Sequence, residues 1–175
     1  IQINQQSELL IKPRRIKNPD FIQIIQNQEN SIILDIESII NLNENKTYFE
    51  ELQKTIEKPR ICIIGTIINN EDIIYKDFTI KYLTNNEEKK IIQYWIQYLK
   101  KKFGSNQIKI YHWGNAEKVY LDYMKEKYSE LNFPDFILID LLIHFKNEPI
   151  TIQGCFGYGL KEIVKQLYNH KLIEN

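Results

Sequence analysis

Residues 31–40 read SIILDIESII, an apolar run of strand length interrupted by two acids, Asp35 and Glu37. No other segment restricts the fold as much. Residues 31 to 37 are apolar on both faces, which reads as a central strand. An unpaired carboxylate is expensive to bury, so two acids inside such a strand need a reason to be there. Strand side chains alternate, which places Asp35 and Glu37 on the same face. Adjacent carboxylates repel unless a cation compensates, and an oxygen-only pair suits Mg²⁺ or Mn²⁺. Solvated charge at a strand end is the plainer alternative, and the flanking isoleucines argue against it.

The rest of the chain supplies partners for that strand. Residues 61–68 (ICIIGTII) and 72–80 (DIIYKDFTI) flank an Asn-Asn-Glu turn and predict a hairpin. The stretch NNEEKKIIQYWIQYLKKKFG predicts a helix. Asn and Glu open it, lysines crowd its last turn, Gly104 closes it, and Ile91, Ile92, Trp95, Ile96 and Leu99 form its apolar stripe. IKIYH (108–112) predicts a short strand, GNAEKVYLDYMKEKYSEL a helix, and GLKEIVKQLYNHKL a last helix. DFILIDLLIHF (135–145) fits either strand or helix. Residues 1–30, broken by Pro13 and Pro19, read as a linker or surface arm ending in a short helix over 21–28, and a helical turn is expected over 48–56. The order predicts an α/β domain over 31–175, in which three leading antiparallel strands and then parallel strands form a mixed sheet flanked by helices.

Composition narrows the function classes. A chain of 175 residues can bury the core of one domain. Its formal net charge is zero, so no overall basic field advertises a nucleic-acid partner, although a cleft can still bind one through metals. Cys62 and Cys155 lie far apart in apolar surroundings, which predicts free thiols and an intracellular, reducing compartment, cytoplasmic or nuclear. No apolar run is long enough to span a membrane. The sequence begins with Ile, which suggests a piece of a longer chain whose other domains are candidate partners. Usage is skewed towards Ile, Asn, Lys and Tyr while Ala116 is the sole alanine, a skew expected of an AT-rich coding genome.

Five further positions stand out. In IYHWGNAEKVYL, Glu117 opens a helix, where it either complements the helix dipole or joins the first strand's acids as a third carboxylate. Trp113 beside it is either core or a surface on which a base or sugar stacks. Asp140, a charge among apolar residues, needs a backbone amide, a cation or a metal-bound water. His144, four residues on, shares a helical face with it. Gly154, Gly157 and Gly159 make a turn ahead of the last helix, where Lys161 is either solvated or faces a phosphate.

In order, ILDIES, IIGTI, IYHWGNAEKVYL, FILIDLL and GYGLKEIVKQL resemble the ribonuclease-H-like domain of predicted RecB-family nucleases, relatives of the DEDD-type 3′–5′ exonucleases. The resemblance spans roughly residues 30–170 and implies a ribonuclease-H-like fold. By position it implies that Asp35 and Glu37 are metal ligands with Glu117 in place of the second aspartate, that Asp140 supports catalysis, and that Lys161 belongs to the helix-start motif. Two Mg²⁺ or Mn²⁺ ions would then hydrolyse phosphodiester bonds of DNA or RNA, with a single-stranded end as the partner. The family's final aspartate has no counterpart up to Asn175. The rival expectation is therefore an inactive module that binds nucleic acid or docks a partner domain, and a purely structural domain is the third.

Overall fold

The computed structural model describes Gln23 and residues 29–39, 60–69, 73–148 and 150–173. Apart from Gln23, Glu29 and Asn30, the expected arm over 1–30, the helix over 21–28 and the turn over 48–56 lie outside the described residues. The elements run β1 (Ser31–Ile39), β2 (Arg60–Asn69), β3 (Ile73–Thr79), α1 (Asn85–Phe103), β4 (Ile108–His112), α2 (Ala116–Lys127), β5 (Phe136–Asp140), α3 (Leu141–Asn147) and α4 (Leu160–Asn169). The strands form one mixed sheet in the order β3-β2-β1-β4-β5. β1 and β2 pair antiparallel, as do β2 and β3, while β4 lies parallel to β1. The fold is therefore α/β with a mixed five-stranded sheet and helices. Two compact units divide it, one covering Gln28–Ile139 and the other containing Asp140 onward.

β1 is central, as its composition predicts, but it is buried on one face only. Ile32, Leu34 and Ile36 enter the core, whereas Ile33, Asp35, Glu37 and Ile39 are exposed. Isoleucine is so abundant in this chain that it populates the open face as well, which made both faces read as core. β2 carries a bulge where Glu37 pairs with Ile63 and Ser38 with Ile61, leaving Cys62 as the extra residue. Burial pushes the Cys62 thiol above its ordinary pKa, the mark of an inert structural thiol. Both cysteines are free.

α1 forms where its signals place it. The Thr84 hydroxyl accepts a hydrogen bond from the Glu87 backbone N–H at 3.2 Å and caps the first turn. Gly104, at φ +65°, ends the helix in a conformation that a side chain disfavours. The stripe of Ile91, Ile92, Trp95, Ile96 and Leu99 packs on β1, β2 and β4 together with Leu121 and Met124 of α2. Trp95 is fully buried, and its indole N–H donates to the Thr66 hydroxyl at 3.0 Å. The run 135–145 reads ambiguously because it holds β5 and then most of α3. Asp140 ends β5 and caps α3, accepting from the Leu142 backbone N–H at 2.9 Å. Among the described residues no helix is long and apolar enough to cross a membrane.

Tyr111, Tyr123 and Tyr128 are buried and Tyr98 packs against the core, and this makes the fold sensitive to base. Burial raises the pKa of Tyr98, Tyr111, Tyr123 and Tyr128 above the ordinary phenol value. Desolvation pulls the Lys127 ammonium down, but its hydrogen bonds to Glu88 and Tyr123 outweigh this and hold it protonated. An unfolded chain would release the phenol protons near pH 10 while the native state keeps them. The native state then binds more protons, so stability falls as pH rises through this range. The melting temperature should stay level from about pH 7 to 9 and decline steadily above about pH 10. A flat profile to pH 11 would contradict it.

Candidate functional site

Strand register assembles a groove on the open face of the sheet. Three rows run across β1, β2 and β3: Ile33, Ile67 and Tyr75; Asp35, Gly65 and Asp77; Glu37, Ile63 and Thr79. The groove, of about 150 Å³, is lined by Ile33, Asp35, Glu37, Ile63, Gly65, Ile67 and Tyr75. Asp35 and Glu37 thus share one face, with alpha carbons about 7 Å apart as for any residues two apart on a strand. Gly65 opens the floor between Asp35 and Asp77. A β-carbon placed there would stand 3.6 Å from the Asp35 carbonyl oxygen and 3.6 Å from the Tyr75 hydroxyl. Asp77 accepts a hydrogen bond from the Thr79 hydroxyl at 3.0 Å.

Glu117 stands elsewhere. β4 ends at His112, Gly114 turns the chain at φ +88°, and α2 opens with Glu117 in its first turn. His112 and Glu117 are both buried. The His112 Nδ1–H donates to the Gly114 carbonyl at 2.6 Å, and Nδ1 lies 3.9 Å from Glu117 Oε2. That hydrogen bond fixes the imidazole tautomer and closes the Trp113 turn. Trp113 is partly exposed. α2 packs through Leu121, Tyr123 and Met124 on the core face of the sheet, the side opposite Asp35 and Glu37.

Two expected site residues belong to the second compact unit. Asp140 takes the backbone amide offered by Leu142, the first of the three partners its sequence context allows. Lys161 is the exposed second residue of α4. The glycine turn ahead of α4 forms as expected, with Gly154 at φ +84°. Next to it, Phe145, Ile152, Cys155, Tyr158 and Ile163 line a small cavity of about 110 Å³.

The sequence reading passed over two features. Tyr75 and Gly65 line the groove, and the signals were present: Tyr75, Asp77 and Thr79 alternate along β3, and a glycine inside a strand marks close approach by something else. Glu88 is the other. Fully buried at the start of α1, it accepts from the Ile61 backbone N–H at 2.9 Å and the Tyr128 hydroxyl at 2.8 Å, and pairs with the Lys127 ammonium at 2.6 Å. It has no opening to solvent and reads as a structural clamp.

The ligand set implied for a divalent ion is only partly assembled. Asp35 and Glu37 offer exposed carboxylate oxygens on one face, which fits such an ion. Glu117 points to His112 instead, and among the described residues no three histidine, cysteine or acidic side chains gather closely enough to hold a metal. Comparison with protein-family models and with curated proteins gave no match.

Proposed function

We propose that the chain is a divalent-metal-dependent nuclease of ribonuclease-H-like fold, acting as a 3′–5′ exonuclease on DNA or RNA. One observation carries the reading: Asp35 and Glu37 stand together on the exposed face of the central strand, above a groove whose floor is opened by Gly65. The flanking Ile33 and Ile39 are exposed, so burial no longer argues for a ligand; the pair's support is that it stands side by side over an open groove that a cation can reach. The mixed sheet with three leading antiparallel strands and a parallel fourth is consistent with the fold the motifs resemble. Mg²⁺ or Mn²⁺ held by Asp35 and Glu37 supplies Lewis acidity for phosphodiester hydrolysis. Glu117, to join them, must leave its position beside His112. Trp113, partly exposed in the neighbouring turn, is the residue assigned to stacking.

A second reading has its own support. The separation of Glu117 from the acid pair is what an inactive module of the same fold would show, one that binds nucleic acid or docks a partner domain. Titrating Mn²⁺ into the protein by calorimetry, alongside digestion of end-labelled single-stranded DNA and RNA, separates the two. Saturable Mn²⁺ binding with Mn²⁺-dependent shortening from the 3′ end is the expected result. Binding of nucleic acid with no cleavage at any Mn²⁺ concentration would leave the inactive module in its place.

A further inference from the structure

The groove contains one aromatic side chain, and it is not among the residues that the nuclease reading uses. Tyr75, on the edge strand β3, is 62% exposed, and its ring reaches over Gly65 of the adjoining β2. It lies against Gly65: the Tyr75 hydroxyl and Cε2 are 3.6 Å and 3.7 Å from where a β-carbon at 65 would be, ordinary contact distance. A β-carbon fits beside the ring, and only side-chain atoms beyond it would compete for the ring's place. It stands in the apolar row of Ile33 and Ile67, next to the row that holds Asp35. An apolar row with an aromatic face lies one step along the strand, about 7 Å, from a pair of carboxylates.

We infer that Tyr75, laid across Gly65 beside Asp35, is a positioning residue that stacks on a base of a single-stranded nucleic acid and sets the adjoining phosphodiester over the Asp35–Glu37 pair. The inference rests on the nuclease reading. Base–aromatic stacking is indifferent to sequence because every base has a π-face, so this contact suits an enzyme that moves along a strand. The acids of this face repel phosphate unless a divalent ion is present, so binding requires the ion.

The test is binding rather than cleavage. Fluorescence anisotropy of a labelled single-stranded oligonucleotide is measured on the whole chain in Ca²⁺ and again in EDTA, for wild type, Tyr75→Phe, Tyr75→Ala and Tyr94→Ala. Tyr94 is 49% exposed on α1, whose packing face covers the other side of the sheet, and serves as the control. Wild type and Tyr75→Phe should bind alike in Ca²⁺, and Tyr75→Ala about tenfold more weakly or worse. Gly65→Val, which forces the ring aside, should weaken binding in the same direction. Wild-type affinity in Tyr75→Ala, or an equal loss in Tyr94→Ala, would overturn the inference and leave the nuclease reading standing. A wild-type chain that fails to bind in Ca²⁺ would remove both.

Discussion

Glu88→Ala is expected to destabilise the protein by about 3–5 kcal/mol, the range for removing one partner of a buried, hydrogen-bonded ion pair. The carboxylate joins three elements. One oxygen accepts from the Ile61 backbone N–H of β2 at 2.9 Å and from the Tyr123 hydroxyl of α2 at 3.3 Å. The other takes the Lys127 ammonium at 2.6 Å and the Tyr128 hydroxyl at 2.8 Å. Alanine leaves the buried Ile61 N–H and the Tyr123 hydroxyl without this acceptor, while Tyr128 keeps only the longer bond to the Asn85 carbonyl at 3.3 Å. The cost is asymmetric, because Lys127 retains some exposure and can turn its ammonium outward. Glu88→Gln keeps an acceptor for Ile61 and loses the charge, so it should cost about 1.5–3 kcal/mol. Lys127→Met strips the cation from a fully buried carboxylate and should cost as much as Glu88→Ala, about 3–5 kcal/mol. Urea denaturation reads all three as shifts in midpoint at an unchanged slope. A loss below about 1 kcal/mol in Glu88→Ala would show that the clamp is redundant with the core around it.

Glu88 also marks where reading the sequence stops. It opens a helix, and an acid in a first turn looks like a partner for the helix dipole. Glu117 occupies the same kind of position in α2. Both are buried, and for Glu88 the reason lies far along the chain: Ile61 is 27 residues away and Tyr128 is 40. Local periodicity carries no information about such contacts. Features that depend on near neighbours were legible. The Gly104 end of α1, the β2–β3 pairing and the extent of β4 all follow from caps, alternation and turn residues close by, although the cap residue at the other end proved to be Thr84, one before the Asn expected to open the helix. The 135–145 run was unreadable as one element because Asp140 divides it, serving at once as the last strand residue and the helix cap. For β1, the residues with space above them could be found only once strand pairing was known, since isoleucine appears on both of its faces.

Asp35 and Glu117 should respond to substitution in opposite ways, and this contrast bears most directly on the proposed chemistry. Asp35 is exposed, next to another acid, with its backbone held in the sheet. Asp35→Asn removes one of two neighbouring like charges from a solvent-facing surface, so the melting temperature should hold or rise slightly. Cleavage in Mn²⁺ should fall at least a hundredfold, roughly, since even residues that only support metal ligands cost 10–100-fold when replaced. Glu117 is buried and 3.9 Å from His112, so Glu117→Gln acts first on the fold and should cost about 1–3 kcal/mol. Thermal melts and digestion of end-labelled DNA, run on the same preparations, give both readouts. Loss of cleavage in Asp35→Asn at unchanged melting temperature is a signature that a structural acid cannot produce. Full cleavage by Asp35→Asn would end the nuclease proposal. If Glu117→Gln lost stability but kept cleavage, Glu117 would belong to the His112 turn, and the metal would depend on the exposed pair alone.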